Sequence, residues 1–323
     1  MRIFALKGTD QLGSAVARAV GTTVDPHEER DFEDGEHKAR PLVRVRGEDV
    51  YVLHSLAGEQ GASANDKLVK LLLFIATCQE NGAARVTAVT PYLAYARKDR
   101  QTKARDPVAT RYIAQLFEAV GTDCLVVLDV HNLVALQNAF RCQTIHLNAR
   151  RLFHSTIQKL ARDLPLTIFS PDTGGVKRAD LLRQTYEAET KQETGFGFME
   201  KRRSREIVSG DLFAGEVEGR AVFLVDDMIS TGGTMLRAAR ACRERGAAAV
   251  HAIATHGLFG EGSKALFSDK AIDHIVVTDS LSSAALVGHK GKLEILSCAP
   301  LIAKAIGRLH RHGSISELIG MES

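Results

Sequence analysis

The sequence predicts an α/β protein of two domains, each a mainly parallel sheet flanked by helices. Strand-like and helix-like segments alternate along the chain, which is the order of β-α-β units. Several strand segments are continuous apolar runs, as expected where helices cover both faces of a sheet. The length of 323 residues is enough for two domains of ordinary size. The apolar fraction of 45% and charged fraction of 25% are typical of a globular protein.

The individual elements follow from local signals. Asn65 and Asp66 are predicted to cap a helix that ends near Gly82. The next strand, helix and strand of the first half are predicted at 86–90, 108–120 and 124–128. In the second half, two strands, a helix and a strand are predicted at 166–170, 221–225, 233–246 and 250–255. The motif-free segment 148–163 suggests domains of 1–150 and 151–323, and the extreme C-terminus is a candidate to pack on the first domain.

Charge and hydropathy argue against several classes of protein. The formal net charge of +3 gives no strong field toward nucleic acid or anionic lipid. No apolar run approaches the roughly 20 residues that a bilayer span needs, and the first apolar run is too brief for a signal peptide. The five cysteines are scattered, which favours buried, reduced thiols over disulfides or a zinc site. We therefore expect a cytoplasmic protein without a membrane or nucleic-acid partner.

The most informative segment is 221–234. Five apolar residues lead into Asp226 and Asp227, and a short hydroxyl- and glycine-rich turn then opens a helix. The members of that turn are Ser230, Thr231, Gly232, Gly233 and Thr234. Carboxylates can accept hydrogen bonds from ribose hydroxyls, while turn amides and a helix N-terminus bind phosphate. Two helix-capping acids are the alternative for the acidic pair, but the turn that follows favours a sugar-phosphate site.

This segment resembles the fingerprint of proteins that bind phosphoribosyl pyrophosphate, which include phosphoribosyltransferases and the enzymes that make their substrate. The first half separates the two groups. Segment 91–100, Pro-Tyr-Leu-Ala-Tyr-Ala-Arg-Lys-Asp-Arg, is similar to a segment of ribose-phosphate pyrophosphokinases, and ordinary phosphoribosyltransferases lack that half. The similarity continues in order at 105–107, 128–131, 170–179 and 200–203. The chain is identified as a member of this family, which implies two phosphoribosyltransferase-like domains.

The resemblance also implies site residues. The ATP-binding positions are Phe32, Asp34, Glu36, Arg97, Lys98 and His131. The ribose 5-phosphate positions are Asp226, Asp227 and the turn 230–234. The metal positions for Mg²⁺ are His131 and Asp172, and the catalytic cations on a mobile loop are Lys201 and Arg203. Because histidine is a poor inner-shell Mg²⁺ ligand, His131 is expected to act partly through water or as a phosphate donor.

Each of these positions has an ordinary structural alternative. Arg97 could form a surface ion pair with Asp99 or Asp106. The basic run 201–205 could be a solvated loop, and 32–36 could be an acidic turn around a glycine. The resemblance decides each case in favour of the functional role.

The implied activity is diphosphoryl transfer from Mg-ATP to ribose 5-phosphate, in a dimer-based homo-oligomer. A phosphoribosyltransferase and a catalytically silent regulatory homologue are the alternatives. Ser230 and Thr173 depart from the aspartate and histidine common in the family, and the catalytic loop is about one residue shorter. These departures leave open the dependence on inorganic phosphate, inhibition by ADP and the range of diphosphoryl donors. The sequence alone does not determine the subunit number or the pathway served.

Overall fold

The computed structural model describes residues 1–200, 212–282 and 291–319. They form two compact units. The first holds Met1–Asn148, Ser280–Ser282 and the described part of Cys298–Ser323. The second holds the described parts of Ala149–Asp279 and Ser283–Ser297. The chain changes unit at residue 149, and its C-terminal segment, inside the range expected for the second domain, belongs to the first.

The first unit contains a wholly parallel five-stranded sheet and a separate antiparallel hairpin. Its strands are β1 (Arg2–Ala5), β2 (His27–Asp31), β3 (His37–Pro41), β4 (Asp49–Leu53), β5 (Arg85–Thr90), β6 (Cys124–Leu128) and β7 (Gln143–Leu147). The sheet order is β1-β4-β5-β6-β7, and β2 pairs with β3. Strands β4 and β6 are buried almost throughout, as their apolar runs require.

Four helices of the first half cover this sheet: α1 (Asp10–Val20), α2 (Ala64–Glu80), α3 (Ala109–Ala119) and α4 (Leu133–Ala139). Of the two residues predicted to cap α2, Asp66 takes part in the cap and Asn65 does not. Ser63 is the N-cap: its hydroxyl accepts from the Asp66 amide at 3.2 Å, and the Asp66 carboxylate accepts from the Ser63 amide at 2.8 Å. Asp66 is therefore the reciprocal partner in a capping box, and Asn65 lies inside the helix.

The second unit is built on a seven-stranded sheet in the order β10-β9-β8-β11-β12-β13-β14, in which the pairing of β9 with β10 is antiparallel and the rest parallel. Its strands are β8 (Leu166–Ser170), β9 (Thr194–Glu200), β10 (Leu212–Ala214), β11 (Ala221–Ile229), β12 (Ala249–Gly257), β13 (His274–Thr278) and β14 (Leu293–Leu296). Its helices are α5 (Arg150–Ala161), α6 (Val176–Thr190), α7 (Gly233–Glu244) and α8 (Lys264–Ser268).

Strand β11 is longer than the predicted 221–225. Its pairing with β8 stops at Leu224, but its pairing with β12 continues to Ile229. Asp226 and Asp227 therefore lie within β11, in the part that pairs with β12 but no longer with β8. This one-sided extension carries the two carboxylates past the end of β8.

The C-terminal helices α9 (Ala299–His310) and α10 (Ser316–Ile319) belong to the first unit, where α9 packs against α1. A polar network fixes the end of α9. Arg85 donates to the Asp49 carboxylate at 2.8 Å and to the Leu309 carbonyl at 3.2 Å, and His310 lies 2.8 Å from Asp49. The helix is thereby tied to β4 and β5. None of the helices in the described ranges combines the length and hydropathy that a bilayer span requires.

Candidate active site

The acidic pair of β11 forms the centre of the candidate site in the second unit. The side chain of Asp226 is 22% exposed, whereas that of Asp227 is only 2% exposed. The Asp227 amide donates to Asp226 Oδ1 at 2.9 Å. The sequence suggested that both carboxylates reach solvent at a strand end. That is wrong for Asp227, because the strand continues and buries it.

Arg178 of α6 bridges the two carboxylates. Its Nη1 lies 2.7 Å from Asp226 Oδ1, and its Nη2 lies 3.4 Å from Asp227 Oδ1. Burial and the like charge of Asp227 raise the pKa of Asp226, and the guanidinium opposes that rise. Arg178 lies in the matching segment 170–179, but the resemblance assigned it no role. The sequence signal that could have indicated a role for Arg178 is its place in the first turn of a helix, where anions are normally favoured.

The turn that follows β11 presents a helix N-terminus. Gly232 is the N-cap of α7 and has φ of +78°, a left-handed conformation that glycine adopts without strain. Its carbonyl accepts from the Leu236 amide at 2.9 Å, and the Ser230 carbonyl accepts from the Gly260 amide at 3.0 Å. Thr231 and Gly233 are exposed. The first amides of the 12-residue α7 have no intrahelical acceptor and suit an anion.

The loop after β8 brings another carboxylate to the same edge of the sheet. Ser170 Oγ donates to the Asp172 carbonyl at 2.6 Å, and the Gly175 amide donates to Asp172 Oδ1 at 3.0 Å. A Cβ atom on Gly175 would lie 2.7 Å from Ser170 Oγ, so this turn has no room for a side chain. Because β8 and β11 are parallel neighbours, half-buried Asp172 shares the carboxyl edge with the acidic pair.

In the first unit, the loop after β5 carries Arg97 and Lys98, which differ in their contacts. Arg97 is exposed and makes no ion pair with any described residue. Lys98 donates to Asp106 Oδ2 at 2.6 Å, and the hydrogen bond from Lys98 holds the pKa of Asp106 well below its usual range. Asp99 accepts from Asn132 at 2.5 Å. The alternative in which Arg97 pairs with Asp99 or Asp106 is therefore wrong, since Lys98 and Asn132 occupy those acids.

His131 follows β6, the parallel neighbour of β5, so it lies at the same edge of the first sheet as Arg97. It is exposed. Asp129, two residues earlier, has φ of +40°, and its amide donates to the Leu147 carbonyl at 2.9 Å. A positive φ at a non-glycine residue is uncommon and often marks a functional loop.

The residues predicted to bind the base lie at the tip of the β2–β3 hairpin. The Phe32 amide donates to the Glu36 carbonyl at 2.8 Å, and the Glu36 amide donates to Asp34 Oδ1 at 3.1 Å. Phe32 is 41% exposed, and the Arg30 guanidinium lies 5.1 Å from its ring centroid. The structure brings Phe32, Asp34 and Glu36 together in one exposed turn.

Comparison with known proteins decides the family. Residues 1–121 match the model of the N-terminal domain of ribose phosphate pyrophosphokinase, and residues 203–320 match the phosphoribosyl synthetase-associated domain. A ribose-phosphate pyrophosphokinase of Vibrio parahaemolyticus is 34% identical, with 98% of each chain covered. That of Maricaulis maris is 37% identical, covering 90% of this chain and 91% of its own. The chain belongs to the ribose-phosphate pyrophosphokinase family.

A solved structure agrees with this assignment. The phosphoribosylpyrophosphate synthetase of Mycobacterium smegmatis superposes with a TM-score of 0.87 at 30% identity, covering 97% of this chain and 99% of that one. The predicted family and α/β fold class are confirmed. The expected catalytic residues of this pyrophosphokinase-family chain, Lys201 and Arg203, lie outside the described residues. Among its departures from the family pattern, Thr173 is exposed and Ser230 is half-buried.

Proposed function

We propose that this chain transfers the diphosphoryl group of Mg-ATP to the anomeric hydroxyl of ribose 5-phosphate, giving phosphoribosyl pyrophosphate and AMP for nucleotide biosynthesis. The supporting observation is the acidic pair of β11 followed at once by the exposed N-terminus of α7, in a chain that matches ribose-phosphate pyrophosphokinases over 98% of its length. Phosphoribosyltransferase activity would account for the features of the second unit only. It leaves the first unit without a role.

Ribose 5-phosphate would be held by its two chemically different ends. The acidic pair Asp226 and Asp227 is proposed to face the 2- and 3-hydroxyls of the ribose, with half-buried Asp226 as the accessible acceptor and buried Asp227 supporting it. Arg178 partly balances their negative charge. Backbone amides and hydroxyls of 230–234 take the 5-phosphate at the start of α7. Two ends fixed in this way leave the anomeric hydroxyl in a defined position for attack.

The first unit would bind ATP. Arg97 has an exposed guanidinium, which can give a phosphate two parallel charge-assisted hydrogen bonds. Lys98 is bonded to Asp106, so its proposed contact with ATP requires exchange of that partner. Phe32 offers a face for the adenine ring, and Asp34 and Glu36 can accept from its amino group. His131 would serve as a phosphate donor or as a metal-side residue.

The residues at the edge of the second sheet fit a magnesium–nucleotide complex. Asp172, Asp226 and Asp227 supply three carboxylates, and Arg178 bridges two of them. Within the described part of the chain, no group of three or more potential ligands is arranged as a metal cage. Mg²⁺ keeps much of its water and is usually held by one or two carboxylates together with substrate phosphates. We propose that Asp172 serves this ion, which would neutralise phosphate charge when bound.

In the reaction, the anomeric oxygen of ribose 5-phosphate bonds to the β-phosphorus of ATP. The bond from that phosphorus to the oxygen bridging it to the α-phosphorus breaks, and AMP leaves. Phosphoryl-type transfer depends mainly on positioning and charge stabilisation. Lys201 and Arg203 are proposed to stabilise the charge on the transferring group.

The deciding experiment is an AMP-release assay with Mg-ATP and ribose 5-phosphate, without any nucleobase. We expect AMP in proportion to phosphoribosyl pyrophosphate, and none when ribose 5-phosphate is omitted. A phosphoribosyltransferase or a silent homologue would release no AMP under these conditions. Parallel reactions with other nucleotides, and with varied inorganic phosphate and ADP, would define the donor and the regulation.

We further propose a dimer-based cytoplasmic homo-oligomer in which the tip 32–36 completes a neighbour's nucleotide site. The exposure of Phe32 supports this role. Light scattering measures the subunit number.

Mixing inactive Phe32→Ala subunits with inactive Lys201→Ala subunits should restore part of the activity, because some sites then receive both native residues. If the mixture stays inactive although the subunits have exchanged, each site belongs to a single chain.

A further inference from the structure

The start of α6 carries a charge pattern that opposes the helix dipole. Its first turn contains Lys177 and Arg178 and no acidic residue. Anions are favoured there, because the amide groups of the first turn point outward with partial positive charge. A residue that is locally unfavourable, such as a cation at a helix N-terminus, often serves a function elsewhere. Arg178 forms its favourable contacts with another element, because its guanidinium pairs with two carboxylates on β11.

The approach of α6 to β11 depends on a tight turn. Gly175 is the N-cap of α6, and a Cβ on it would lie 2.7 Å from Ser170 Oγ. The same Cβ would be 3.7 Å from both Arg178 Nη1 and the Val225 carbonyl oxygen. The start of α6 therefore packs closely against the ends of β8 and β11. From that position the Arg178 side chain crosses directly to the acidic pair.

We propose that Arg178 is a positioning residue for ribose 5-phosphate. The inference deepens the proposed function and rests on it. The planar guanidinium holds Oδ1 of Asp226 with one nitrogen and Oδ1 of Asp227 with another, which fixes both carboxyl groups before substrate arrives. Asp226, whose side chain is 22% exposed, is then held in place to accept from a ribose hydroxyl, while buried Asp227 anchors the other side of the bridge. Two neighbouring carboxylates without this bridge would repel each other and lose their common orientation.

A lysine cannot replace this arrangement fully. Its ammonium supplies one point charge, whereas the guanidinium presents two nitrogens in a fixed fork. The charge would be retained and the bridge between two oxygens would be lost. Arg178→Lys should therefore fall between the wild type and Arg178→Ala.

Helix α6 also supplies a matched control. Arg183 has nearly the same exposure as Arg178, 25% against 24%, and is likewise ion-paired, but its partners are Asp180 and Glu187 on its own helix. Arg183→Ala removes the same side chain without touching β11. Its activity should stay within about twofold of wild type, because these ion pairs lie within one helix and do not include the acidic pair.

The test is steady-state kinetics of AMP formation by the full chain, varying each substrate separately. Arg178→Ala should raise the KM for ribose 5-phosphate by about 10-fold or more, the scale seen when a residue that orients ligating groups is lost. The KM for ATP should change by less than about twofold. Millimolar guanidinium chloride should restore part of the loss in Arg178→Ala and should not stimulate Arg183→Ala.

Other outcomes overturn the proposal. Equal losses for both substrates, or Arg178→Ala matching Arg183→Ala, would show a structural role only. If Arg178→Ala fails to fold, Arg178→Lys decides, because a wild-type KM for ribose 5-phosphate in that variant excludes the bridge. Inactivity of the wild type would instead refute the proposed function. Calorimetric titration of ribose 5-phosphate into wild type and Arg178→Lys would still test the contact, and equal affinities would refute it.

Discussion

Replacing Gly232 with alanine perturbs the turn that links the acidic pair to α7. Gly232 has φ of +78°, where an L-residue carries a steric penalty of about 1–2 kcal/mol. The added Cβ would also lie 3.1 Å from three side-chain atoms of Leu266, which is buried. Overpacking of a buried side chain costs about 1–3 kcal/mol.

The two costs together predict a loss of about 2–5 kcal/mol in the free energy of unfolding of the second unit. For a unit of this size, 1 kcal/mol corresponds to roughly 2–4 °C in Tm, so the Tm of the second unit should fall by about 4–20 °C. The KM for ribose 5-phosphate should rise as well, because the turn that presents the phosphate-binding amides is displaced.

The neighbouring glycine provides the control. Gly233 is the first residue of α7, and the nearest atom to a Cβ there is Thr231 Oγ1 at 3.9 Å. Gly233→Ala should be neutral or stabilising by up to about 1 kcal/mol, because alanine fits that conformation and restricts the unfolded chain. Differential scanning calorimetry of both variants measures the difference. Equal shifts in the two variants, or an unchanged Tm in Gly232→Ala, would refute the reasoning from backbone conformation.

Three further predictions concern the cationic loop, the acidic pair and a buried histidine. Lys201→Ala should lower the turnover number by orders of magnitude with little change in ATP binding; near-normal turnover would remove that loop from the mechanism. Asp227→Asn should impair use of ribose 5-phosphate more than nucleotide binding, and equal KM values for ribose 5-phosphate would contradict the role of the pair. Burial lowers the pKa of His54 to about 3, so the unfolded chain takes up its proton first and stability falls as pH drops from about 6.5 toward 3. His54→Gln should flatten that fall by at most about 1.4 kcal/mol per pH unit, measured by urea unfolding at pH 7 and pH 5; an unchanged pH dependence would show that His54 does not drive it.

Much of the fold was predictable because its signals are local. Strands β6 and β8 have the predicted bounds, since each is an uninterrupted apolar run between polar segments. Helix α3 ends where Gly121 permits a positive φ, as predicted. The phosphate-binding turn was recognisable for the same reason: its glycines, hydroxyls and preceding acids are consecutive in the chain.

The sequence by itself determined the alternation of strands and helices, the family and the residue types that follow several of the strands. The tertiary structure decided which of those residues meet. Arg178 pairs with Asp226 across 48 positions, and Lys98, not Arg97, neutralises Asp106. Pairing with β12 carried β11 on to Ile229 and buried Asp227. Such contacts depend on which strands become neighbours and how closely a helix approaches them, and neither is encoded in a local run of residues.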